Sequence, residues 1–398
     1  MRVLFSIQPG IGHLHPAARL AASLTGAGHE VAVASAPSFT PDVEAFGLTA
    51  FPAGRDWTEA EVDRTFPGFT EMQGLEQVRI FAELSGQGIV DDLVEIGRRW
   101  HPDVIVRETF EWGGWMAAEL IDLPHAVMSI GIGVPREIVQ VMAGDLLGEV
   151  PSTYGLPPDP ALERSERYLY LVGSPGSLDP PGLPRGSTHR RIRPLVLEAN
   201  SETRPQLPSP VKERPLVHAT LGTVFNKKVR ILQAIVDALA DEDVDLIVSV
   251  GRDGRPDELT AAANARIEKF VSHPDLLPHC DLLITHGGHG TVMAAASAGV
   301  PACLLPISAD QPLTSVGYAS TGAAINLATK VPEGGAWPII DPERVEPEAI
   351  RQAARQILDN PDFRSAALRL RDEVEALPSA DVAVGFLEQI VETGEPVA

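Results

Sequence analysis

The sequence predicts an α/β fold built on parallel sheets, and three features of it carry that prediction. Short apolar runs alternate with helix-forming segments in both halves of the chain. Glycine turns follow several of those runs. A proline-rich stretch separates the two halves. The clearest unit spans residues 279 to 301, where Leu282–Thr285 reads as a buried parallel strand. Gly287, Gly288 and Gly290 then form a tight turn, and Thr291 to Ala298 is small and helix-forming until Gly299 and Pro301 stop it.

In chain order, Arg2 to Ile7 is strand-like, Gln8 to Gly12 is a turn, and Pro16 opens a helix that ends near Gly28. The opening resembles a dinucleotide G-x-G-x-x-G only superficially. His15 stands where the third glycine belongs, and the second strand, Glu30 to Ser35, lacks the acidic residue that a ribose needs. A nicotinamide oxidoreductase is therefore disfavoured. The fourth strand, Asp103 to Val106, leads into Arg107 and Glu108. First and fourth strands are neighbours at the switch point of a doubly wound sheet, so His13 and Glu108 can meet at its edge. A histidine braced by a carboxylate is a general base near neutral pH. Glu111, one helical turn on, is the rival partner, and His15 reads as a pre-helix residue. Asp91 to Trp100 reads as the helix before strand four, after a looser stretch from Phe51 that holds Trp57, Phe66, Phe69, Met72, Phe81 and Leu84.

Asn200 to Pro215, with Pro205, Pro208, Pro210 and Pro215, reads as a semi-rigid linker. Strands follow at Leu216–Thr220, Asp245–Val250 and Ala302–Leu305, with Ala323–Leu327 last and a helix at Val229–Ala240. The glycine turn after Thr285 leaves the free N–H groups of a helix start facing outward, a ready phosphate site. His286 and His289 flank it as further donors, and Thr291 either caps the helix or donates its hydroxyl. Asp310 and Gln311 reach the same edge from the next strand; alternatively they are a helix cap and its neighbour. Asp243-Val244-Asp245 is a literal D-x-D, but it lies at the amino end of a strand, whereas ligands bind at the carboxyl end. Helices are expected at Glu346–Asp359, Asp362–Leu377 and Ala380–Thr393.

The run from His286 to Thr291, followed by Ala298-Gly299-Val300-Pro301 and then Asp310-Gln311, resembles the donor-sugar signature of the family 1 glycosyltransferases. The likeness is greatest to the actinobacterial branch that glycosylates antibiotics and related natural products. It implies a GT-B fold, two Rossmann-like domains facing each other across a cleft, and inverting, metal-independent transfer from a UDP- or dTDP-sugar to a hydroxyl of a hydrophobic aglycone. The domains would be residues 1–203, which bind acceptor, and 216–378, which bind donor. A linker at 204–215 joins them, and a last helix at 379–398 packs back on the first. Gly12-His13 matches the family's catalytic histidine, and Glu108 stands where the family has Asp, which keeps the charge on a longer arm. The donor residues implied are Gly12, Gly222, Thr223, Val271, Ser272, His286, Gly287, Gly288, His289, Gly290, Thr291, Asp310 and Gln311. Trp57, Phe81, Glu111, Trp112, Met128, Ile132 and Met142 would line the acceptor pocket, although core packing explains each of them as readily. The plant branch's Trp and Pro-Gln pair near residue 271 are missing, so the base stays open between uridine and thymidine.

Composition bounds these expectations. The 398 residues suggest two or three domains, and 44% hydrophobic residues can fill large cores. A formal net charge of −22 argues against nucleic acid and anionic membranes as partners. An anionic donor must then be held by helix amides and glycine turns rather than by Lys or Arg. The two cysteines, Cys280 and Cys303, border apolar strands and read as buried free thiols. The first strand meets Gly10-Ile11-Gly12 too soon for a signal peptide, so a soluble cytoplasmic protein, monomeric or homodimeric, is expected. Two other classes share the architecture: a sugar-nucleotide 2-epimerase, and a non-catalytic sugar-nucleotide-binding partner.

Overall fold

The computed structural model describes residues 1–57, 62–67, 80, 82–83, 88–179, 185–196, 214–222, 228–251, 254–330, 339–341 and 344–397. The chain forms two compact units. The first comprises Met1–Ser174, Pro181–Leu197 and Leu377–Ala398; the second comprises Pro175–Pro180 and Glu198–Ala376.

The first unit holds seven parallel strands in the order β3-β2-β1-β4-β5-β6-β7. They are β1 (Arg2–Ser6), β2 (Glu30–Ser35), β3 (Thr49–Pro52), β4 (Val104–Glu108), β5 (His125–Met128), β6 (Leu169–Val172) and β7 (His189–Arg191). The inner strands are apolar on both faces because helices cover both, as parallel sheets require. Helix Ile11–Gly26 and helix Val382–Thr393 share one core with β1, β4 and β6; Leu14, Leu20 and Leu24 meet Ala383, Leu387 and Ile390 there. Helix Ile89–Trp100 and helix Gly113–Leu120 cover the other face. The first helix begins at Ile11 and not at Pro16, which lies inside it. His13 therefore stands in the first turn of the helix, its N–H bonded to the Gly10 carbonyl at 3.1 Å.

The second unit repeats the plan with six parallel strands in the order β10-β9-β8-β11-β12-β13. They are β8 (Leu216–Thr220), β9 (Asp245–Ser249), β10 (Ala265–Glu268), β11 (Leu282–Thr285), β12 (Ala302–Leu304) and β13 (Ala324–Asn326). The helices include Val229–Leu239, His289–Ala298, Gln311–Ser320, Pro347–Asp359 and Pro361–Ala376. Pro175–Pro180, which the sequence places in the N-terminal domain, belongs to this unit. The Leu178 carbonyl lies 2.7 Å from where a Cβ on Gly317 would stand, and the Ser177 N–H donates to Glu373 at 3.1 Å. The residues expected to form the linker before Arg214 lie outside the described residues. No described helix is long and apolar enough to cross a membrane. Both cysteines are buried and free.

Candidate functional site

In the first unit, register brings the two sheet-edge residues together. Ser6 of β1 pairs with Arg107 of β4, so the turn after β1 lies beside Glu108. His13 Nδ1 stands 2.9 Å from Glu108 Oε1. The Glu108 side chain is fully buried and that of His13 is 18% exposed, so the ring presents an edge outward while its brace is kept from water. Oε1 of Glu108 also accepts the Gln8 backbone N–H at 3.4 Å, and Oε2 accepts the Phe110 N–H. A carboxylate only accepts, so in a neutral His13 ring Nδ1 is the donor and Nε2 the unprotonated nitrogen.

Glu111 is a different kind of group. Its oxygens accept the N–H groups of Gly113 and Gly114 at the start of helix Gly113–Leu120, and it has no exposure. Burial pushes its pKa up to about 7, against the pull of the Arg107 charge and the Gly113 N–H. It is a helix-capping group rather than the partner of His13 or an acceptor contact. His15 lies inside the helix, packed against the Phe46 ring at 5.6 Å.

The other expected acceptor residues, where they are described, are buried as well. Trp57 is buried edge-on to Phe66, Met128 is completely buried on β5, and Ile132 is 2% exposed. Trp112 packs among Val139, Ala143 and Leu147, beneath the Arg107 guanidinium. These large apolar groups fill the spaces between sheet and helices and present almost no surface. Phe81, and the side chain of Met142 in helix Arg136–Thr153, lie outside the described residues. Near the pair in sequence or on the neighbouring strand, Ile11, Phe110 and Ile130, two residues past β5, are half-buried apolar residues. Sequence periodicity does not single them out, although Phe110 lies two positions past Glu108.

In the second unit, the turn after β11 is built around the His286 imidazole. The ring is 7% exposed, its Nδ1 lies 3.0 Å from Thr285 Oγ1, and it also bonds the Thr220 backbone. Burial first, and the nearby His273 second, lower its pKa to about 4, so it is neutral. A Cβ on Gly222 would stand 2.7 Å from Cε1 of this ring, and a Cβ on Gly288 would collide with Nε2. Gly287 takes φ +83° and faces Ser315 Oγ, so no side chain fits there. His286 thus shapes two turns, and its burial leaves little of the ring for the phosphate donation expected of it. His289 opens helix His289–Ala298, and Gly288 is its cap residue. Gly290 is exposed, with nothing within 4 Å of a would-be Cβ. Thr291 is buried within the first turn of that helix and does not cap it.

Asp310 stands at the cap position of helix Gln311–Ser320, but its carboxylate makes no capping bond. The residue before it, Ala309, holds φ +56°, a left-handed conformation rare for a residue with a Cβ. Gln311 is 3% exposed, and its side-chain oxygen accepts the N–H groups of Ile307 (2.9 Å) and Ser308 (3.1 Å). Only its amide NH2 end is left for a ligand. Val271 is buried and Ser272 precedes the short helical turn His273–Leu276. Phe270, just before them, is a large aromatic side chain that is 69% exposed. Thr223 lies outside the described residues. Gly12 is exposed at the helix start in the first unit, not in this one. Asp243 and Asp245 lie at the amino end of β9, where Arg214 approaches them at 3.9 and 3.4 Å. Among the described residues no cluster of His, Cys, Asp and Glu is arranged to hold a metal ion.

Comparison with known proteins places this geometry in a family. Residues 69–162 match the N-terminal domain, and residues 233–390 the C-terminal domain, described as erythromycin biosynthesis protein CIII-like. The chain is 30% identical to 4'-demethylrebeccamycin synthase of Lentzea aerocolonigenes, over 98% of this chain and 99% of that protein. It is 27% identical to 3-alpha-mycarosylerythronolide B desosaminyl transferase of Saccharopolyspora erythraea, over 98% of each. Among solved structures, the glycosyltransferase VinC in complex with dTDP superposes with a TM-score of 0.77 at 26% identity, covering 98% of this chain and 100% of VinC. The spinosyn rhamnosyltransferase SpnG complexed with spinosyn aglycone gives 0.79 at 25%, covering 98% and 100%. The desosaminyl transferase, VinC and SpnG are named for sugar transfer, not for epimerisation or passive binding. The chain belongs to the actinobacterial antibiotic branch of the family 1 glycosyltransferases, with the GT-B fold.

Proposed function

We propose that this glycosyltransferase inverts configuration and moves a sugar from dTDP or UDP to a hydroxyl of a hydrophobic natural-product aglycone, with His13 as the base. The reading rests above all on the 2.9 Å approach of His13 Nδ1 to a fully buried Glu108 carboxylate. Nδ1–H donates to Oε1, which leaves Nε2 to take the proton of the acceptor hydroxyl. The oxygen attacks the anomeric carbon from the face opposite the nucleotide, and the bond from that carbon to the phosphate oxygen breaks. Glu108 stabilises the imidazolium that forms.

The departing diphosphate is held by the amides at the start of helix His289–Ala298, with Thr291 behind them. No metal ion takes part in this scheme. Asp310 and the amide end of Gln311 bind sugar hydroxyls, and the exposed Phe270 gives the base a stacking face. Ile11, Phe110 and Ile130 form the apolar approach for the aglycone. The relatives' dTDP and spinosyn aglycone complexes support a thymidine donor and a hydrophobic acceptor. In His13→Ala, transfer falls by about 100-fold or more while nucleotide binding measured by calorimetry stays near wild type. Undiminished turnover in that variant overturns the assignment.

A further inference from the structure

We infer that Arg107 is the positioning residue of the His13–Glu108 pair: its guanidinium gathers the carbonyls of the turn from which Glu108 reaches His13. The inference rests on the reading of that pair as the base. Arg107 and Glu108 are consecutive on β4, so their side chains leave opposite faces of the strand. Arg107 is 1% exposed, among the largest side chains so deeply buried. A buried guanidinium is costly unless its N–H groups are matched; here both terminal nitrogens are matched, while Nε has no partner among the described residues. Here one terminal nitrogen, NH1, donates to the carbonyls of Glu108, Thr109 and Glu111, each at 3.1 Å. The other terminal nitrogen, NH2, donates to the Ser165 carbonyl at 3.1 Å, which ties the turn to the segment before β6. The flat face lies 4.8 Å over the Trp112 ring.

Three carbonyls of one turn share the two N–H bonds of one nitrogen, which restricts the path of that turn. The path decides where the Glu108 carboxylate stands, because the Phe110 N–H from the same turn holds Oε2. A second tether points the same way: the Gln8 amide nitrogen donates to the Phe110 carbonyl at 3.4 Å. The charged neighbours are consistent with a device rather than with filling. Glu111, Glu166 and Glu108 surround the cation, with the Tyr170 hydroxyl. His125, buried on β5, is held neutral, its pKa lowered to about 3 by burial and then by Arg107. Lysine keeps a charge but lacks the fork and the stacking face. Methionine leaves the turn carbonyls unmatched.

The test compares Arg107→Met, Arg107→Lys, Glu108→Gln and the Arg107→Met/Glu108→Gln double variant, assayed well below their melting temperatures with a dTDP-sugar and an accepted aglycone. A misplacement of about 1 Å can cost about 100-fold in rate, and kcat of Arg107→Met is expected to fall on that scale while dTDP affinity is unchanged. Its acidic pH–rate limb moves to lower pH, in the same direction as Glu108→Gln, because a histidine without its carboxylate neighbour is a weaker base. The double variant is no slower than Glu108→Gln alone, and Arg107→Lys is intermediate. A folded Arg107 variant with the wild-type limb, or losses that add in the double variant, overturns the inference. If Arg107→Met does not fold, the limb of Arg107→Lys decides. Turnover that survives His13→Ala removes the base reading itself. An inactive His13→Ala, with a limb that shifts in Glu108→Gln but not in the Arg107 variants, removes only the inference about Arg107.

Discussion

In the seven-stranded sheet, the turn after β1 carries an imidazole braced by a buried carboxylate; in the six-stranded sheet, the turns after β8 and β11 carry glycines wrapped round a neutral imidazole. Both sheets share the order of their first four strands, and both edges lie at a switch point. The difference is in what each edge offers. His13 keeps an exposed ring edge and spends one nitrogen on Glu108, which suits proton transfer. His286 hides its ring, which packs against the glycines of two turns. The same residue type keeps an exposed edge braced by a carboxylate at one place and packs against glycine turns at the other, and burial with partner type makes the difference. In a protein of net charge −22, amide dipoles are a means of attracting an anion without adding cations.

The sharpest way to break the comparison is to disable one edge and read the other. Glu108→Gln should cut kcat by about 100-fold or more and leave the nucleotide affinity of the second unit unchanged in calorimetry. An equal loss in affinity would mean that the edges are not separable. Gly288→Ala should do the reverse. Its Cβ meets His286 Nε2, overpacking of this kind costs about 1–3 kcal/mol, and the turn must shift. The expected result is a dTDP Kd raised about tenfold or more, with the acidic pH–rate limb in place. A wild-type Kd would show that the His286 ring is not setting the turn.

Glu111→Gln is the smallest change, and it concerns stability. The buried carboxyl has its folded pKa raised from 4.5 to about 7. A group with a raised folded pKa contributes stability that is whole below its unfolded value and is lost as pH rises through its folded one. Wild type should therefore lose stability between pH 5 and pH 8, on the order of 2–3 kcal/mol from this group, and Glu111→Gln should flatten that slope. Denaturant titrations across this pH range measure it. Parallel slopes in the two proteins would show that Glu111 does not titrate there.

Much of the fold could be read from periodicity alone. Strands β2, β8 and β11 have the bounds that their apolar runs suggest, and helix Val229–Leu239 differs from expectation by one residue. The meeting of His13 with Glu108 followed from a topological rule applied to strands one and four. The failures share a physical origin. Trp112, Met128 and Ile132 are large and apolar, and nothing local distinguishes a core side chain from one that lines a pocket. Pro16 lies within a helix that starts five residues earlier, because the turn after β1 is complete at Gly10, the cap residue. Arg107 looked like the polar stop of a strand, yet it is buried beneath the turn that follows.

Local sequence was enough to settle the alternation of strand and helix, the glycine turns at the strand ends and the family to which they point, because backbone propensity and apolar spacing act over a few residues. Which carboxylate reaches His13, which histidine is exposed and which is a spacer, and what Arg107 holds were decided only when strands distant in sequence were set side by side. Burial, register and hydrogen-bond pairing are properties of that arrangement, and no single segment carries them.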